Sequence, residues 1–201
     1  MNIHRDTAAM LALLALALVW ALPARAQPPA EIATIVQFHT VCNNCHEGEC
    51  SGRLSFNSGA EAARSHIERH LGAKQHDVQV AALFAMLQAV KESCSHYPVV
   101  PLRPAIGTWQ AAELAPWRNA PAGAYFIPLG KFAAGQRQLA LEFDGAAEGN
   151  ARIDDDHMET IADERLCRSG GSTLEFDARA DTAYFLHLKS GAATLRHIVF
   201  R

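Results

Sequence analysis

The feature that most limits what this chain can become is Cys42-Asn43-Asn44-Cys45-His46. A bare C-x-x-C is compatible with a redox dithiol, a zinc half-site or a disulfide. The adjacent histidine narrows the choice. Two thiols three residues apart reach the two vinyl groups of one haem, and the imidazole that follows is held directly beneath the iron. A second zinc-type cysteine pair is absent, and no βαβ context for a thioredoxin-like site is evident. The motif therefore predicts one covalently bound haem c, with Cys42 and Cys45 as attachment points and His46 as the proximal iron ligand.

An export signal supports this reading. Arg5 precedes an almost uninterrupted apolar run from Ala8 to Leu22, Pro23 breaks it, and Ala24-Arg25-Ala26 supplies the small residues of a cleavage site. The run of about 15 residues is short of the roughly 20 that a bilayer core requires. Residues 1–26 are expected to be a cleaved signal peptide, with cleavage near Ala26 and a periplasmic or otherwise exported destination. No later segment approaches membrane-spanning length, so no membrane span is expected in the mature chain. The whole chain has 201 residues and a formal charge of −3, and losing Arg5, Arg25 and Asp6 makes it one unit more negative. Nucleic acid is not an expected partner, because phosphate binding needs a concentrated basic surface.

Residues 29–94 resemble a small class I c-type cytochrome domain. Pro29 to Val41 has helical spacing, with Ile32, Ile35, Val36 and His39 near one face, and runs straight into the haem motif. Asp77 is placed to cap a second helix, in which Val80, Leu83, Phe84, Leu87 and Val90 form a broad apolar stripe. The resemblance implies that this last helix crosses the first beside the haem. The family usually places a Met-Pro a few residues before its last helix, and no Met-Pro occurs here. His70 stands at that position, with His66 one turn earlier. Four readings of the sixth iron position stay open: His70, the leading candidate for the distal ligand, His66, Met86, or no protein ligand. Bis-histidine ligation implies a lower reduction potential than His/Met.

Three cysteines remain. In a three-helix haem domain Cys50 and Cys94 can come close, and a bridge between them would contribute about 3–4 kcal/mol in the chain-entropy model. Two free buried thiols are the alternative. Cys167 is left over, either buried and free or paired with another chain.

Pro98, Pro101 and Pro104 read as an extended linker. Beyond it come short segments of β character at 124–129, 137–143, 172–176, 183–188 and 193–200. Leu139, Leu141 and Phe143 alternate with Gln138, Ala140 and Glu142. The expected fold class is α + β in two domains, a small all-α cytochrome c-like domain followed by an antiparallel β-sandwich-like domain. The expected boundaries are 27–97 for the haem domain, 98–118 for the linker and 119–201 for the β domain. Asp154, Asp155, Asp156 and His157 lack the spacing of a calcium loop and read as a solvated turn. His187 and His197 lie in strands and could face a second metal, although lone strand histidines usually do not. Trp109 and Trp117 are expected to pack the linker onto a domain.

The leading functional expectation is an exported mono-haem electron-transfer protein or subunit, with no catalytic residues of its own. Its partners would be redox proteins such as a dehydrogenase, an oxidase or another cytochrome, with the β-rich half as docking module. The alternative is a haem-based sensor or enzyme with an open or displaceable sixth coordination site.

Overall fold

The structure is a computed structural model that describes residues 31–46, 59–93, 96–97 and 106–201. The expected leader and the expected Cys50–Cys94 bridge lie outside the described residues.

Helix α1 (Ile32–Gln37) continues without a break through a π-helical segment (Phe38–Cys42) into α2 (Asn43–His46). A 3-10 turn (Ala60–Ala63) leads into α3 (Arg64–Leu71), which stops at Gly72, whose φ of 70° is one that glycine adopts without strain. Helix α4 (Asp77–Ser93) follows and buries Val80, Leu83, Met86 and Val90. Arg64 ties the two helices together: it donates to Glu61 at 2.7 Å, to the Gln75 carbonyl at 3.0 Å and to Asp77 at 2.6 Å.

The remainder is β1 (Thr108–Gln110), α5 (Ala111–Leu114), a 3-10 turn (Ala115–Trp117) and β2 (Arg118–Asn119). There follow β3 (Ala124–Lys131), β4 (Gly135–Asp155), β5 (Thr160–Ala178), β6 (Ala183–Lys189) and β7 (Leu195–Phe200). All seven strands form one antiparallel sheet in the order β1-β7-β4-β6-β3-β2, with β5 paired to β4.

Strand β4 organises this sheet. β5 runs along one of its edges. β7 pairs with its first half at Leu139–Phe143, and β6 with its second half at Asn150–Asp155. Between the two halves the register shifts twice, at Glu142/Ala147 and Ala147/Glu148. Gly145 (φ 138°) and Gly149 (φ 146°) sit at this bend. A Cβ on Gly149 would lie 2.2 Å from the Lys189 carbonyl oxygen, so only glycine lets β6 approach. The bulges curl the sheet into a half-barrel.

Strands β3 and β6 are covered on both faces, which explains why they read as continuous apolar runs. Tyr125, Ile127, Leu129, Leu139, Leu141 and Ile198 are all within 1% of full burial. On the other side, Phe126 and Phe185 stack under Tyr97 and under His39 of the π-helical segment.

Two expectations are overturned. The helices are not a free-standing cytochrome c-like domain: strands dominate, the helices are few, and the motif helix packs on the sheet through His39, which stacks on Phe126. The resemblance to class I c-type cytochromes is therefore withdrawn. The β-sandwich is replaced by a single curled sheet. The physical reason is length. The 21-residue β4 and the 19-residue β5 exceed an ordinary strand severalfold, and one long bent hairpin encloses a core without a second sheet. The stretches 137–143 and 172–176 are two facing parts of that hairpin. Trp109 and Trp117 are buried, and Trp109 meets Phe200 edge-on at 4.8 Å. Among the described residues no helix is long and apolar enough to cross a membrane.

Candidate functional site: a slot at the Cys-x-x-Cys-His motif

The π-helical segment decides which way the motif faces. π turns are local insertions into a helix and recur at functional sites. His39 points into the sheet, stacking on Phe126, and is 2% exposed, whereas Phe38 is 1% exposed and borders the slot. Cys42, Cys45 and His46 line a slot on the side facing α3 and α4. Thr40 locks the arrangement: its hydroxyl donates to the Val36 carbonyl at 2.6 Å and accepts from Asn119 of β2 at 2.8 Å.

The slot has a volume of about 60 Å³ and is partly open to solvent. Phe38, Val41, Ile67, Leu83, Phe84 and Leu87 supply its apolar walls. Cys42, Cys45 and His46 come from one wall, and His66 and His70 of α3 from another. The His46 and His66 rings are 6.0 Å apart between centroids, and the His66 and His70 rings 4.6 Å. Met86 is buried in the core and does not line the slot.

The thiols and imidazole of the motif are a donor set that could hold a tethered haem. Burial, and after it the neighbouring Cys45, pushes the Cys42 thiol up to about 11. Reactive dithiols have depressed values instead. Burial, followed by His66, Lys91 and His70, holds His46 below the ordinary histidine range, so its imidazole is neutral and able to bind metal. Cys42, Cys45 and the exposed Cys167 are free thiols here.

The other polar clusters have structural duties or remain open. Asp155, Asp156 and His157 converge. Asp155, however, is taken up by the β4–β5 turn, accepting from the backbone N–H of His157 (2.9 Å) and Glu159 (3.0 Å) and pairing with Arg179. His197 pairs with Glu142 at 3.2 Å. His187 instead joins a buried group that sequence reasoning missed. Its Nε2 is 2.7 Å from the Tyr97 hydroxyl, which donates to Asp154 at 2.8 Å, and Asp154 also binds Arg152 at 2.9 Å. His39 lies beside this group, with its ring 6.3 Å from His187. No local pattern announces it, because its members come from four separate segments.

No family model matches the chain, and no curated protein matches it. Among solved structures it is similar to "A novel family GH115 4-O-Methyl-alpha-glucuronidase, BtGH115A, with specificity for decorated arabinogalactans", at TM-score 0.32 and 10% identity over 70% of this chain and 24% of that one. The chain thus spans about a quarter of that protein's length. Likeness at this level assigns neither fold nor activity.

Proposed function

We propose that this chain carries one haem c, attached through Cys42 and Cys45 with His46 as proximal ligand, and serves as an exported electron-transfer protein. The observation that carries the reading is the meeting of Cys42, Cys45, His46, His66 and His70 on one apolar slot. Bound there, the haem would supply one-electron chemistry, at a potential set by its axial ligands and surroundings.

The chain's own residues have distinct tasks. Cys42 and Cys45 would tether the haem through their thiols. Neutral His46 presents a nitrogen lone pair. Phe38, Leu83, Phe84 and Leu87, which line the slot, would keep water out of it. The distal ligand comes from the α3 pair, with His66 the ring nearer to His46 and His70 the next one along the helix. A bis-histidine site suits a low-potential carrier that exchanges electrons with redox proteins such as a dehydrogenase, an oxidase or another cytochrome.

The test is the optical spectrum of the mature chain, matured with its haem-attachment machinery, in both oxidation states. Sharp low-spin ferrous bands that ignore carbon monoxide, with haem retained on denaturation, are expected. An immediate carbon monoxide adduct would replace the carrier with a ligand-binding sensor or enzyme. Absence of covalent haem would sink both readings.

A further inference from the structure

A second cavity lies behind the motif helix, between it and strands β3, β4 and β6, with a volume of about 410 Å³. No aspartate or glutamate lines it. Its walls carry Arg152, Lys189, His39, His187, Asn43 and Asn150. Arg152 is held in place from behind by Asp154, which is fully buried and outside the lining. Lys189 at the mouth has no carboxylate partner among the described residues and is exposed.

His39 is the anomaly. It is 2% exposed, and neither ring nitrogen has a hydrogen-bond partner. Leaving such groups unsatisfied costs on the order of 1–3 kcal/mol each, so native chains retain them where something else completes the bonding. The buried Asn43 amide oxygen, one turn along the same wall, also lacks a partner. A half-turn of that amide presents its NH2 group instead. Two unsatisfied buried polar side chains therefore border a cavity with a fixed guanidinium, an unpaired ammonium at its mouth and no acid.

We propose that this cavity is a binding site for a small oxyanion, held by Arg152 and Lys189 and completed by His39 and Asn43. A metal ion does not explain the cluster. Among the described residues, the ligand atoms of His39, His187 and Asp154 are not all close enough to share one ion. Inorganic oxyanions and small organic carboxylates share the chemistry the cavity recognises. The named anion contacts lie outside the haem tether, and only Val41 and His70 border both this cavity and the slot.

Calorimetric titration of the mature chain as purified, at low chloride, with phosphate, sulfate, acetate and malonate in separate runs, tests this. Saturable one-to-one binding by phosphate or sulfate assigns an inorganic oxyanion, and by acetate or malonate an organic carboxylate. Lys189→Gln, at an exposed position, should raise Kd about tenfold with an unchanged melting curve, the scale expected for one charge-assisted hydrogen bond. His39→Phe should weaken binding at least as much and leave the absorption spectrum as it was. Failure of all four anions to saturate, or unchanged affinity in either variant, overturns the site. Neither result bears on the haem, whose presence is read from the spectrum.

Discussion

His39 and His187 show how burial of single residues becomes a property of the whole protein. Burial lowers His39 to about 3, and burial, then Arg152 and His39, hold His187 well below its ordinary value. The unfolded chain takes up these protons near 6.5, and the folded chain does not until far lower pH. Stability is therefore full above about pH 6.5 and falls as pH drops towards 3, by up to about 1.4 kcal/mol per pH unit for each histidine. Urea denaturation from pH 7.5 to 4.5 should show this slope, and His39→Phe should flatten it. At the Cys-x-x-Cys-His motif, the proposed haem attachment predicts that Cys42→Ser or Cys45→Ser abolishes stable two-point attachment, read as haem lost from the denatured chain. The distal side separates two residues. His66→Ala should shift the iron to high spin, whereas His70→Ala should leave a low-spin spectrum. The reverse pattern would return the role to His70. The motif and both histidines could be read from residue types and spacing alone. His39 could not, because an apolar helical face does not reveal that its nitrogens will meet no partner.

At the scale of elements, the bend in β4 and the π-helical segment do most to shape the site. Gly149→Ala would set a methyl group 2.2 Å from the Lys189 carbonyl, in a backbone conformation that alanine resists. A loss of about 3 kcal/mol or more is expected in urea titrations, since the contact is with backbone that cannot step aside. Asn119→Ala removes the tie from β2 to Thr40 and should cost about 1 kcal/mol by the same measurement. Helical spacing revealed α4, and apolar runs of β character revealed the cores of β3, β6 and β7. Neither revealed that 137–143 and 172–176 belong to one hairpin. The bulges around Gly145 and Gly149 break the alternation there, and pairing across more than thirty residues leaves no local trace. The π turn was equally hidden, since its apolar residues are spaced as in an ordinary helix.

The whole molecule has one continuous core that takes in Phe38 of the motif helix, Leu83 and Met86 of α4, Tyr97, and the sheet residues Phe126 and Phe185. Helices and sheet are therefore expected to unfold in one transition, with far-ultraviolet and aromatic circular dichroism melting together. Two separated transitions would show that the helices have a core of their own. The sequence by itself determined the chemistry on offer: a thiol pair and imidazole at haem spacing, helical histidines to face them, and apolar alternation sufficient for strands. These depend on covalent order and on repeats within a few residues. Only the tertiary structure decided that one curled sheet replaces a sandwich, that the helices lean on it rather than form a cytochrome-like domain, and that His39 and His187 meet beside an acid-free cavity. The reason is that burial and pairing depend on which distant segments touch, and that follows from the closing of the chain upon itself.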